Sequence, residues 1–82
     1  MAENSGKEKK KREIHIGNLT LGPGKYIEAL VQGRKYRIKI EEIDEYNTII
    51  GHDNNGKDVM VRLSKIVAMR TMSEEEFYGR EQ

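Results

Sequence analysis

Six side chains in the second half of the chain carry groups suited to binding a single-stranded nucleic acid. Tyr46 has a flat ring on which a base could stack, and Arg62 and Lys65 are cations that could hold phosphate. Amide and hydroxyl groups that could read a base edge belong to Asn47, Thr48 and Ser64. In a small β-barrel, the turn after the second strand and the turn between the fourth and fifth strands can lie side by side. The sequence therefore predicts one candidate nucleic-acid-binding site made from two segments.

Tyr46 and its near neighbour Asp44 also have a purely structural interpretation. Tyr46 fits a half-buried aromatic side chain in a turn as well as it fits a stacking platform. Asp44, just before it, is typical of turns in which a carboxylate accepts backbone hydrogen bonds. The nucleic-acid interpretation thus depends on the six residues lying together.

The sequence gives little support to catalysis or metal binding. His15 and His52 lie in different segments, with no carboxylate at a spacing that an extended backbone would bring to a shared ligand position. The acidic run from Glu41 to Glu45 has no apolar surroundings that would raise a carboxyl pKa. The oxygen-rich stretch 53–58 lacks the closing Glu of a calcium loop. We therefore expect no catalytic residue, no metal and no cofactor.

Composition indicates one small domain with a thin core. The chain has 82 residues, of which 35% are hydrophobic and 35% charged, and it has no Cys for a disulfide. Oligomerisation is the leading alternative source of stability. Apolar runs reach only three or four residues, so we expect neither a membrane-spanning helix nor a secretory signal, and we expect a cytoplasmic protein.

The two ends of the chain carry opposite charges. Residues 1–13 hold five basic and three acidic groups, and residues 73–82 hold one basic and four acidic groups. We interpret 1–13 as a flexible basic arm, because it has almost nothing apolar to bury. The arm either attracts a polyanion such as RNA or serves only as a solubilising tail. Its basic residues are Lys7, Lys9, Lys10, Lys11 and Arg12.

Residues 14–72 are expected to form the domain. From Lys25 onward apolar residues recur every second position, which predicts antiparallel strands with one buried face. The alternation slips near Glu41 and Glu42, where we expect a β-bulge that bends the second strand. Expected strands are 25–31, 36–43, 47–52, 59–64 and 66–69, with turns at Gly33 and Gly56.

Two segments beside these strands are less regular. Residues 14–24 fit either a short strand or a loose turn of helix. Residues 73–82 form an acidic tail in which Ser73 could cap a short helix, although so few residues are expected to fray. The predicted fold is mainly β: a small, strongly bent five-stranded antiparallel barrel of the SH3-like or OB-like kind.

The spacing of the turn glycine and of the polar residues along the strands resembles that of the Sm-like (LSm) family, and most closely its bacterial branch, the RNA chaperone Hfq. The resemblance covers Tyr26 to Thr71. Gly33 matches the turn glycine, Asp44 the acidic residue that ends strand two, and Arg62 the arginine that contacts RNA in the second Sm motif. The chain departs from the family at Leu63, where Sm-type proteins usually have Gly.

This resemblance implies an SH3-like, Sm-like barrel that assembles into a homo-oligomeric ring of six or seven subunits and holds single-stranded RNA. In such rings strand four of one subunit pairs with strand five of its neighbour, which would consume exposed strand edges. Two other interpretations remain open from the residues: a monomeric SH3-like module that binds a protein partner, and a small DNA-binding barrel of the chromatin type.

Overall fold

The computed structural model describes residues 12–79 and contains seven strands and one α-helix in that range. In chain order these elements are β1 (Ile14–Ile16), β2 (Leu19–Leu21), β3 (Tyr26–Val31), β4 (Arg34–Ile43), β5 (Thr48–His52), β6 (Asp58–Arg62), β7 (Ala68–Met72) and α1 (Glu74–Tyr78). A 3-10 helix, Leu63–Lys65, lies between β6 and β7.

The five longer strands form one antiparallel sheet in the order β6-β5-β4-β3-β7. The predicted mainly β fold with five antiparallel strands is therefore confirmed. Within residues 12–79 the sheet is not closed into a barrel by hydrogen bonds, because β6 and β7 are both edges. The chain connects them through the 3-10 helix, and just before β7 the Val67 N–H donates to the Leu30 carbonyl of β3 over 2.9 Å.

The predicted bulge in the second strand of this sheet is confirmed. The register of β4 against β5 shifts between Ile40 and Glu42, and this shift keeps both Ile40 and Ile43 buried. Gly51 lies opposite Ile40, and a Cβ there would lie 1.9 Å from the carbonyl oxygen of Lys39. The bend therefore depends on a residue without a side chain.

The core is built from the inward-facing positions of the strands, as the alternation predicts. Its buried members are Leu21, Ile27, Ala29, Ile38, Ile40, Ile43, Ile49 and Val61. Residues 14–21, which the sequence left open, form the hairpin β1-β2 and contribute Leu21 to this core. The strand boundaries near the end of the sheet differ from expectation, because residue 63 belongs to the 3-10 helix and β7 starts only at residue 68.

The C-terminal helix is held more firmly than its length suggests. Ser73 forms a capping box with Glu76: its hydroxyl accepts from the Glu76 N–H, and the Glu76 carboxylate accepts from the Ser73 N–H. Phe77 is fully buried, and its ring centroid lies 4.9 Å from that of Tyr26 in β3. The expectation of fraying missed this anchor, because a capped helix that buries an aromatic ring gains tertiary stabilisation.

An ion-pair network crosses the outer face of β3, β4 and β7. Glu28 accepts from Arg70 at 3.0 Å and from Arg37 at 3.2 Å, and Arg70 also reaches Glu76 at 3.3 Å. The pKa of the Glu28 carboxyl is lowered, first by the hydrogen bond from Arg70 and then by that from Arg37.

Lys7, Lys9, Lys10 and Lys11 of the basic arm lie outside the described residues, whereas Arg12 lies within them. In the described part of the chain, 12–79, no helix is long and apolar enough to cross a membrane.

Candidate nucleic-acid-binding site

Two loops meet at one corner of the sheet, and the six residues that the sequence proposed as a site lie in these loops or at the strand ends beside them. The first loop joins β4 to β5, and the second is the 3-10 helix after β6. The Leu63 N–H donates to the Asn47 carbonyl over 2.9 Å, and Thr48 lies directly opposite Arg62 in the β5-β6 pairing. The prediction that these two turns lie side by side is confirmed.

Asp44 builds the first loop. Its Oδ1 accepts hydrogen bonds from the backbone N–H of Tyr46, at 2.8 Å, and of Thr48, at 2.9 Å. These two bonds lower the pKa of the Asp44 carboxyl, and the bond from Thr48 has the larger effect. The positive charge of Arg62 lowers this pKa further. Asp44 therefore positions the loop, as the sequence expected of a structural residue.

The loop between β5 and β6 has the same construction. Oδ1 of Asp53 accepts from the N–H of Asn55 and of Lys57, each at 2.9 Å. The residue with positive φ is Gly56 in this loop, at 85°, and Asn47 in the first loop, at 61°. A glycine adopts this conformation without steric cost, whereas asparagine tolerates it. The candidate site thus keeps a side-chain amide at a position where the matching loop has none.

The side chains of the candidate site differ in exposure. Tyr46 is 67% exposed. It is therefore more exposed than the half-buried turn aromatic of the structural interpretation. Arg62, Ser64 and Lys65 are exposed as well, while Asn47 and Thr48 are partly buried. The corner therefore presents an open ring and two cations to solvent, with the amide and the Thr48 hydroxyl set deeper.

One further residue reaches this corner from a distant part of the chain. The Arg12 guanidinium donates a hydrogen bond to Oδ1 of Asn47. The sequence placed Arg12 only in the basic arm. No periodicity links positions 35 residues apart, so this contact had no sequence signal.

Charges at the corner are nearly balanced without Arg12. Arg62 and Lys65 supply two positive charges, and Asp44 and Glu45 supply two negative charges. A polyanion therefore gains little net attraction from the two loops alone.

A groove of about 400 Å³ begins beside the same corner and runs along the free edge of β6. Arg62 and Lys65 line it together with apolar side chains from β3, β4 and β6, namely Val31, Tyr36, Val59 and Val61. Met60, also at this groove, is 68% exposed. Among residues 12–79, the outer edge of β6 thus has no neighbouring strand in the sheet and has apolar surface beside it.

The two histidines contact residues outside this corner. His52 Nδ1 is 2.7 Å from Oε2 of Glu41, and His15 Nδ1 is 3.2 Å from the Thr20 hydroxyl. Among residues 12–79 no group of three His, Asp or Glu side chains is arranged to hold a metal ion.

Fold and loops together define a small mainly β protein with one open five-stranded antiparallel sheet and a two-stranded hairpin. The chain is 49% identical over 71 residues to "Uncharacterized protein 8" of Sulfolobus islandicus filamentous virus (isolate Iceland/Hveragerdi). The match covers 87% of this chain and 90% of that protein, so the chain belongs to the same family as this viral protein. No family model and no solved structure matches the chain.

Proposed function

We propose that this protein is a non-enzymatic RNA-binding protein of the Sm-like kind, which assembles into a ring and holds single-stranded RNA. The observation that carries the proposal is the Leu63–Asn47 backbone bond, because it joins the two loops that, with the strand ends beside them, hold the six candidate residues. In the proposed complex Tyr46 stacks on a base, and Arg62 and Lys65 hold phosphate. The base edge is read by Asn47, Thr48 and Ser64.

Two features support assembly into a ring. The resemblance to Sm-like proteins implies pairing between strands four and five of neighbouring subunits, which correspond here to β6 and β7. These strands are the two edges of the sheet, and exposed edges favour pairing with another strand. Pairing would also cover Met60 and the apolar groove beside β6, and it would complete a barrel-like sheet across subunits.

Tyr46→Ala tests the site. Stacking of one base on an aromatic ring contributes about 1–3 kcal/mol, which corresponds to a roughly 5- to 150-fold weaker affinity for each base lost. The measurement is fluorescence anisotropy with short U-rich and A-rich single-stranded RNA. Tyr46→Phe is the matched control, because it keeps the ring and should bind nearly as well as the native protein.

Unchanged RNA affinity in Tyr46→Ala would remove Tyr46 from the site. The same titration with single-stranded and duplex DNA separates the alternatives, because a preference for duplex DNA would favour the chromatin-type barrel.

Light scattering at two salt concentrations tests the ring. A ring of six or seven subunits has about six or seven times the 9.5 kDa mass of the chain. A mass near 9.5 kDa at both salt concentrations, without RNA binding, would instead favour the monomeric SH3-like module.

A further inference from the structure

The backbone groups along the outer edge of β6 follow a regular alternation. At the two ends of the β5-β6 pairing, the Leu63 N–H donates to the Asn47 carbonyl and the Asp53 N–H donates to the Lys57 carbonyl, each over 2.9 Å. Hydrogen-bonded and non-hydrogen-bonded pairs alternate along an antiparallel ladder, so both bonds assign the odd-numbered residues of β6 to the bonds with β5. The N–H and C=O groups of the even-numbered residues therefore point to the outer edge, beside which no strand lies among residues 12–79.

The even-numbered residues of β6 also carry its exposed side chains. They are Asp58, Met60 and Arg62, and they share the outer face of the sheet because side chains alternate along a strand. The strand thus has an acid at its first position, an exposed apolar residue in the middle and a base at its last position. When a second copy of this strand runs antiparallel to the first, the acid of each copy meets the base of the other.

One register of two antiparallel β6 strands uses all of these groups. With Met60 opposite the partner's Met60, Asp58 lies opposite the partner's Arg62, and the twofold symmetry repeats the same pair at the other end. Each of the three pairs can exchange two backbone hydrogen bonds, because their backbone groups point to the edge. Side chains directly opposite each other have Cβ atoms about 4.5–5.5 Å apart, which is close enough for an ion pair. A shift by two residues would place Met60 opposite a charged residue and remove both ion pairs.

The same register covers apolar surface on the inner face. Val59 lies opposite the partner's Val61, in a pair without backbone hydrogen bonds, where Cα atoms approach to about 4.5 Å. Both valines line the groove of about 400 Å³ beside this edge. Each copy would therefore close one side of the other copy's groove.

We propose that the outer edge of β6 is a self-complementary interface, at which two copies of the chain join β6 to β6 about a twofold axis and merge their five-stranded sheets into one. The partner is a second copy of this chain because the order of Asp58, Met60 and Arg62 complements its own reverse. The inference goes beyond the proposed function and does not depend on RNA binding.

This interface changes the order of contacts in the proposed ring. A ring that contains it joins β6 to β6 and β7 to β7 alternately, in place of the β6-β7 contacts that the Sm-like resemblance implies. Such a ring has an even number of subunits, so six are compatible with it and seven are not. Arg62 can contact both the partner's Asp58 and an RNA phosphate, because a guanidinium has five N–H donors.

Charge reversal tests the interface without RNA. Asp58→Arg replaces the two ion pairs with two Arg–Arg contacts, and Arg62→Asp replaces them with two Asp–Asp contacts. We expect each variant to raise the dissociation constant of the β6-β6 contact by roughly 10-fold or more, measured by light scattering over a dilution series. An equimolar mixture of the two variants should regain the native affinity, because every contact between unlike copies is then an Arg–Asp pair.

Glu75→Arg is the matched control, since it makes the same change of charge at an exposed position of α1 and should keep the native mass. Far-ultraviolet circular dichroism checks that each variant is folded. The native protein should have twice the 9.5 kDa mass of the chain, or a higher even multiple of it. A native mass of 9.5 kDa throughout the series, or a mixture no larger than its separate variants, would overturn the β6-β6 interface.

The outcomes also separate this inference from the proposed function. A native dimer that does not grow into a ring, and that Asp58→Arg dissociates, supports the interface and removes the ring from the proposed function. A seven-membered ring, or any ring whose mass Asp58→Arg leaves unchanged, overturns the interface and leaves the ring in place. RNA binding is decided independently by Tyr46→Ala.

Discussion

Replacing Phe77 with alanine should show how much the C-terminal helix contributes to the stability of the domain. The Phe77 side chain is fully buried, and its ring centroid lies 4.9 Å from those of both Tyr26 and Tyr78. Truncation of a buried Phe to Ala costs about 3–5 kcal/mol. A domain of this length has a total stability of about 4–12 kcal/mol. We therefore expect Phe77→Ala to lose a quarter or more of the free energy of unfolding.

Urea denaturation followed by far-ultraviolet circular dichroism measures this loss, since the chain has no Trp to report by fluorescence. The midpoint should fall while the slope m stays near its native value, because nearly the same surface is exposed on unfolding. A loss of 3 kcal/mol corresponds to a fall in Tm of about 12–24 °C for a domain of this size.

Two further variants make the result specific to the buried ring. Phe77→Leu keeps much of the apolar volume and should lose clearly less stability than Phe77→Ala. Glu75→Ala changes an exposed position of the same helix and should stay within about 0.5 kcal/mol. If Phe77→Ala were no more destabilising than Glu75→Ala, the helix would not be part of the core, and the argument from burial would be refuted.

Two other predictions concern the sheet. Glu28→Gln should make the free energy of unfolding depend less on pH in the acid range. The reason is that hydrogen bonds from Arg70 and Arg37 lower the folded-state pKa of Glu28. Its contribution is therefore present above its ordinary pKa near 4.5 and is lost as pH falls through the lower folded-state value. Urea midpoints from pH 7 to pH 3 measure this, and parallel curves for the two proteins would contradict it. Gly51→Ala should lower the free energy of unfolding by about 3 kcal/mol or more, because the new Cβ would lie 1.9 Å from the Lys39 carbonyl oxygen and β4 must move. A native-like melting temperature would show that the bend does not need glycine.

The parts of the fold that the sequence predicts well are those set by local patterns. Alternation from Lys25 onward places Ile27, Ala29 and Ile38 in the core. The slip near Glu41 locates the bulge, because one extra residue must turn the strand for Ile43 to stay buried. The capping box at Ser73 is likewise a local signal.

What the sequence did not predict depends on contacts between distant residues. No apolar residue lies three or four positions from Phe77 in the sequence, so its burial against Tyr26 could not be read from helical periodicity. The contact of Arg12 with Asn47 has the same character. At the site, the meeting of the two loops follows from strand order, but the exposure of Tyr46 depends on how the Asp44 turn aims the ring.

The loops after β4 and after β5 share one hydrogen-bond pattern, in which an Asp carboxylate accepts from the backbone N–H groups two and four residues later. Residues 44–47 have the sequence Asp-Glu-Tyr-Asn and residues 53–56 have the sequence Asp-Asn-Asn-Gly, yet both segments turn through the same hydrogen bonds. Writing the second tetrapeptide in place of the first would preserve the reversal between β4 and β5. It would delete an aromatic ring and a carboxylate, and it would move the side-chain amide from position 47 to positions 45 and 46. Residues 53–56 therefore provide a replacement for residues 44–47 that should keep the fold and remove the Tyr46 ring.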